Sequence, residues 1–221
     1  MNRTTAFSLA VLGAVAGGHP VTALAADEET QLWLNVTMVT PLADEVTGTF
    51  ELSRRIREND DQVLLRGNAD LKLSGTVSVG GGAAYVNSID GLLETGEDKE
   101  FRLQQQLTLT FGALSFRTRV EERFFENADR MQLRIRQRAQ ASAAVAHDVH
   151  AALSGEVFYI ARSEDAGGED QIAQWRLNTT LSHKLSRGFE ASVGYLLMYT
   201  PQDGQPDKVA HVPQITLTFR P

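Results

Sequence analysis

The chain has no cysteine, which excludes disulfides, thiolate metal sites and thiol nucleophiles. It also lacks any apolar run long enough to cross a bilayer as a helix, which takes about 20 residues. A chain without such a run enters a membrane only as a closed barrel, because lipid offers no partner for open backbone groups. No interval reads as a linker, a low-complexity tract or a long exact repeat. Phosphate loops, zinc-ligand spacings, nucleophile elbows and nucleic-acid modules are missing too.

What is present begins with a targeting segment. Arg3 is the only charge before Asp27, Ala6 to Ala16 is mostly apolar, and Ala23-Leu24-Ala25 has the small-x-small form of a signal-peptidase site. We expect residues 1–25 to be a cleaved signal peptide and 26–221 to form one barrel domain. The net charge of −7 conceals a strong segregation of charge along the chain.

The segregation is clearest mid-chain. Arg117, Arg119, Glu121 and Arg123 alternate with Phe116, Thr118, Val120, Glu122 and Phe124, and Arg134, Arg136 and Arg138 alternate with Leu133, Ile135 and Gln137. Successive strand residues point to opposite faces, so each run has a charged face and a mostly apolar one. Similar alternation predicts strands over 30–40, 46–56, 62–73, 76–88, 100–111, 114–125, 131–142, 149–161, 171–183, 188–200 and 209–219. The connections alternate between short turns and longer acidic loops, as in outer-membrane barrels, which places the acidic loops at the cell exterior. The fold class is therefore all-β: a single antiparallel up-and-down transmembrane barrel of about 10–12 strands. The segments number eleven, whereas bacterial single-chain barrels have an even number, so 10 or 12 crossings are expected.

A soluble lipocalin-like barrel would carry the same alternation turned inside out. Lipid outside is favoured by strand length and by aromatic spacing. Phe101 and Phe111 share one outward face, Phe189 and Tyr199 repeat the interval, and Phe116, Phe124, Tyr159 and Phe219 mark other strand ends. Gln105, Glu122 and Gln137 run against this assignment, since they fall on the outward face. The segment Gln214-Ile215-Thr216-Leu217-Thr218-Phe219 resembles the terminal signal read by the barrel-assembly machinery, although Arg220 and Pro221 follow it.

Trp33 within Gln31-Leu32-Trp33-Leu34-Asn35, the two arginine-rich strands and Gly194-Tyr195 together resemble the proteobacterial family known as domain of unknown function 2490. The resemblance spans nearly all of residues 26–221 and is most specific at the arginine-rich pair. It implies an outer-membrane β-barrel in a Gram-negative envelope and carries no activity or catalytic residue with it.

The charged row is the candidate site. Alternation assigns Arg55, Arg66, Asp70, Lys72, Arg102, Arg117, Arg119, Glu121, Arg123, Arg134, Arg136, Arg138, Glu156 and Arg176 to the lumen. Arginine stays charged and presents a planar fork of donors, and rings of basic residues favour anions in pores. The reading is a narrow, anion-leaning channel for a small anionic solute, or a structural barrel that the same charges fill. Glu58, Asp60, Asp61, Asp90, Glu94, Glu97, Asp98, Glu164, Asp165, Glu169 and Asp170 lie in the loops, where divalent cations could bridge to lipopolysaccharide phosphates, but no spacing matches a calcium loop. The rival class is a lipid hydrolase or acyltransferase using His147, His150, His183 or His211. Ser154 shares a strand face with His150, about 13 Å away, so a dyad would need a cross-strand partner. A third class is a soluble periplasmic barrel with an apolar ligand. We expect a monomeric, non-enzymatic outer-membrane barrel without cofactor or metal. Its partners would be outer-membrane lipid, lipopolysaccharide and the assembly machinery, and not nucleic acid.

Overall fold

The computed structural model describes residues 26–58, 60–90 and 94–221. The expected signal peptide over 1–25 lies outside them, as do the side chains at 90 and 94–98, and with these the acids Asp90, Glu94, Glu97 and Asp98. Every regular element is a strand: β1 (Asp27–Thr30), β2 (Leu32–Ala43), β3 (Val46–Ile56), β4 (Asp61–Lys72), β5 (Val77–Asp90), β6 (Glu94–Phe111), β7 (Leu114–Phe125), β8 (Gln132–Ala146), β9 (Val149–Arg162), β10 (Gln171–Lys184), β11 (Phe189–Thr200) and β12 (Lys208–Phe219). Each pairs antiparallel with its sequence neighbour from β2 to β12, and β12 pairs back to β1 and β2 in parallel.

β1 and β2 are one crossing. Asp27 stands opposite Lys208 and Trp33 opposite Gln214, so the register to β12 is unbroken across Gln31. The barrel thus has eleven strands, within the expected 10–12 but odd where an even number was expected. The parity follows from geometry: in an up-and-down barrel with an odd number of strands, the first and last run the same way, and a parallel ladder closes the cylinder. One row of paired residues leaves β2 at Ala43 and returns to the same crossing at Glu28, a stagger of fifteen residues that includes the bulge between Pro41 and Ala43. Such a stagger tilts the strands steeply, as in closed barrels generally, where tilts run about 35–45°.

The connections sort by length. Asp44–Glu45, Gly112–Ala113 and His147–Asp148 are tight turns at one end of the barrel, and Glu45, Gly112 and Asp148 adopt the left-handed conformation these turns require. Residues 57, 58 and 60 and the segments 126–131, 163–170 and 201–207 lie at the other end. The expected loop over 89–99 is mostly strand: β5 runs to Asp90 and β6 starts at Glu94, with Asn87 opposite Lys99. A hairpin standing clear of the wall needs only its backbone ladder, so apolar alternation does not mark it.

The distribution of side chains is inverted relative to a water-soluble fold. Outside, Phe50, Leu65, Phe111, Leu177, Val193 and Leu217 are between 44% and 58% exposed. Inside, Arg119 is 3% exposed, Glu121 1%, Gln132 2% and Phe158 2%. Outward aromatics gather toward the two ends. Tyr85, Phe101 and Phe124 lie on one row near the long-loop end, and Trp175 stands opposite Tyr199 near the same end on β10 and β11. Phe189 and Phe219 stack at 4.9 Å near the short-turn end. Of the polar residues expected outside, Gln137 accepts a 2.9 Å hydrogen bond from the Thr118 hydroxyl on the next strand. Gln105 is exposed opposite Val120, and Glu122 sits opposite Leu103 and Leu133.

Candidate functional site: the arginine-lined lumen

The register of β7 and β8 sets Arg117 opposite Arg138, Arg119 opposite Arg136 and Glu121 opposite Arg134. Like charges directly opposite one another destabilise a sheet. Three buried glutamates offset them. Glu121 takes Arg136 at 2.7 Å and Arg134 at 2.5 Å, with Arg119 at 3.7 Å. Glu156 on β9 takes Arg117 at 2.8 Å and Arg136 at 2.9 Å. Glu100 on β6 takes Arg102 through both oxygens, at 2.5 Å and 2.6 Å, and also bonds Arg123. A fourth pair, Arg66 with Glu51, stands on β4 and β3.

Two glycines extend this lattice around the wall. Asn68, Gly82 and Gln104 form one row, and Asp70, Gly80 and Gln106 the next. With no side chain on the middle strand, Gln104 reaches across to Asn68, and Gln106 donates to Asp70 at 2.5 Å. A Cβ at Gly82 would fall on the Gly67 carbonyl and the Asn68 side chain. Arg119 donates to Gln106 at 2.7 Å, so hydrogen bonds run from β4 to β7, and the 3.7 Å ion pair of Arg119 with Glu121 joins them to the Glu121–Arg136–Glu156 bonds that reach β9.

Aromatic faces hold guanidiniums on the opposite side. Arg55 lies 4.1 Å over Trp33, and Arg176 lies 4.4 Å over Phe158 and 5.5 Å over Trp33. Arg136 covers Phe158 at 4.3 Å. Such contacts stabilise a buried cation without neutralising it. Trp33 itself donates to Gln31 at 2.9 Å and packs on Leu196, Met198, Ala210 and Val212, which form the apolar wall of the lumen.

Space is distributed unevenly. A vestibule of about 640 Å³ opens at the long-loop end, and an inner cavity of about 200 Å³ shares Arg55, Arg102, Arg134, Phe158 and Arg176 with it. Another cavity, of about 290 Å³, lies at the short-turn mouth around Asp70, Ser78 and Thr110. The rim of the vestibule is paired: Arg57 with Asp60 at 2.6 Å and Lys99 with Glu126 at 3.3 Å. Outside the strands, Asp207 accepts from the Tyr199 hydroxyl and from the Gln202 N–H at 3.0 Å, which holds its carboxyl below the usual carboxylate range.

Twelve of the expected lumen residues come together in this belt, and Asp70 joins it through Gln106. Lys72 does not. At the last residue of β4, its side chain is 59% exposed and reaches Glu45 at 3.7 Å on the neighbouring strand's turn. Glu51, Glu100, Gln104, Gln106, Gln132, Trp33 and Phe158 were not anticipated as lumen residues. Glu51 and Glu100 share strand parity with Arg55 and Arg102, which is the signal that would have found them. Ser154 faces Gln140 and Asn178 across its two ladders rather than a histidine. His150 faces Ala144 and Ser182, His147 contacts Asp148 in an exposed turn at 2.8 Å, and His211 meets Tyr195 on the outer surface at 2.5 Å. Among the described residues, no three acids or histidines gather at metal-binding distance.

No curated protein and no solved structure matches the chain. The family model described as a protein of unknown function, DUF2490, matches residues 30–209, from the end of β1 to the start of β12. That interval holds the arginine belt and its carboxylate partners, and over it the chain belongs to the DUF2490 family.

Proposed function

We infer that this barrel spans the bacterial outer membrane as a monomer and that its cationic lumen admits small anions. The observation that carries the reading is the inverted wall: exposed leucines, valines and phenylalanines outside, buried arginines and glutamates inside. Water on the outer face would leave that apolar surface unsatisfied, whereas lipid accepts it. A soluble barrel for an apolar ligand needs the opposite arrangement. Two aromatic girdles and a cylinder without an unpaired edge support the same placement. The long-loop end, with its paired acidic rim, then faces the exterior, and the segment ending at Phe219 serves recognition by the assembly machinery.

Ten arginines against four glutamates line the belt, so the lumen favours anions. Fractionation tests the location: heat-modifiable migration in an outer-membrane fraction is expected, and recovery in a periplasmic extract overturns it. Planar-bilayer recording tests the lumen. Anion-selective current is expected, with selectivity reduced or reversed by Arg119→Glu combined with Arg136→Glu. A second reading, a barrel closed by its own side chains, is favoured by the lattice of hydrogen bonds and ion pairs from β4 to β9. It predicts no current from correctly folded protein.

A further inference from the structure

The inner cavity is cationic beyond what its carboxylates offset. Eight arginines and two glutamates line its volume of about 200 Å³. Five of those arginines have a glutamate within ion-pair distance: Arg66, Arg102, Arg117, Arg134 and Arg136. Arg55, Arg138 and Arg176 have none among the described residues. Arg55 bonds Gln62 at 3.0 Å and Arg176 bonds Gln174 at 2.5 Å, both neutral. The Nε groups of Arg55, Arg117 and Arg138 are buried without a hydrogen-bond partner, as is the Asn178 amide oxygen, and all four residues line this cavity. A carbonyl oxygen without a donor in a cationic cavity also fits the amide turned over, with its NH2 toward the space.

Buried guanidiniums are costly unless something negative meets them. Three without a carboxylate at ion-pair distance converge on one cavity: Arg138 on β8 and Arg176 on β10 flank Glu156 on β9, and Arg55 comes from β3. A planar carboxylate is satisfied by a single fork, whereas a tetrahedral oxyanion accepts donors from several directions. We propose that the inner cavity is a binding site for a tetrahedral dianion, free phosphate or sulfate or the phosphoryl group of a small ester, held by Arg55, Arg138 and Arg176 with Asn178 as a neutral donor. The site rests on the reading that the lumen takes anions, but it does not require a path through the barrel. The ligand enters from the vestibule, whose wall already includes Arg55 and Arg176.

Equilibrium dialysis of radiolabelled orthophosphate against the full-length mature barrel in detergent micelles tests the proposal. Saturable binding is expected. Sulfate should compete as well as unlabelled phosphate, while equal concentrations of chloride or acetate should not. Glycerol phosphate separates the sources: competition by it means that the cavity takes an ester, and failure to compete confines the site to the free anion. Arg138→Gln and Arg176→Gln should each weaken binding about tenfold or more, as expected for loss of a charge-assisted bond. Arg220→Gln, which removes the same charge outside the lumen, should change it by less than about twofold. Heat-modifiable migration checks folding, and if Arg176→Gln does not fold, Arg138→Gln alone decides. Absence of saturable binding, equal competition by chloride and acetate, or equal weakening by Arg220→Gln overturns the site. Bilayer recordings separate this from the broader reading. Anion-selective current with no phosphate binding removes the site and leaves the conduit, while phosphate binding without current does the reverse.

Discussion

The two halves of the lumen share one backbone cylinder and are filled in opposite ways. Toward the long loops, arginines, glutamates, Phe158 and Trp33 crowd the interior, and Arg119 and Glu121 lose nearly all contact with solvent. Toward the short turns, the inward positions are small and mostly hydroxylic: Thr49, Ser78, Thr108, Ser115, Ser142, Ser182 and Thr216. There, Ser142 and Ala144 stay exposed although they face inward. Strand number and stagger are common to both halves, so the constriction comes from side chains. A barrel built this way can change the charge and width of its interior by substitution in one belt, without altering the wall.

The same difference sets what a lost charge costs. Glu121 is the carboxylate shared by Arg134 and Arg136, with Arg119 nearby, in the dry half. Glu121→Gln leaves Arg119 and Arg134 without a carboxylate and Arg136 with Glu156 alone, and removal of one partner from a buried ionic cluster costs about 3–5 kcal/mol. Urea unfolding in micelles should show a loss of that size or no folded protein at all. A loss below about 1 kcal/mol would mean that water already reaches these arginines.

Packing should show a smaller version of the contrast. Gly82→Ala places a methyl against the Gly67 carbonyl and Asn68 and breaks the span by which Gln104 crosses β5. Overpacking of this kind costs about 1–3 kcal/mol. Gly155→Ala meets nothing within 4 Å and should stay within about 0.5 kcal/mol of the wild type. Equal losses at both positions would show that the close approach over β5 is not what fixes the lattice.

How much of this was legible depended on whether one period carried the signal. Arg117 to Arg123 and Arg134 to Arg138 alternate strictly, so their facing and their neighbourhood followed from strand geometry alone. Glu51 and Glu100 obeyed the same parity but stood apart from the arginine runs, and only the register brings Glu100 to Arg123. Phe158 and Trp33 break the rule that inward means polar. Their reason is tertiary, since guanidiniums from β3, β8 and β10 need a face to lie on. The strand number falls within the expected 10–12, and only its parity differs, because the even count is a habit of bacterial barrels whereas turns and alternation mark eleven segments. Lys72 was assigned by parity, but at a strand end its four-carbon stem lets the ammonium leave the lumen for Glu45.

The smallest effect tests the comparison from its other side. Ser142 faces the lumen opposite Ala152, near the short turns, and is exposed. An arginine placed there has room to extend and water to solvate its guanidinium, so no carboxylate is needed to hold it. Ser142→Arg should leave the urea midpoint within the range of ordinary surface substitutions, about 0.5 kcal/mol. On the proposed anion path its added positive charge lies between the belt and the short-turn mouth, so in bilayers it should raise anion preference slightly without lowering stability. Destabilisation above about 1 kcal/mol would mean that the short-turn half is as dry as the arginine belt. The division of the lumen into a packed, arginine-rich half and a wet, mostly hydroxylic half would then fail, even though the ion pairs around Glu121 remained.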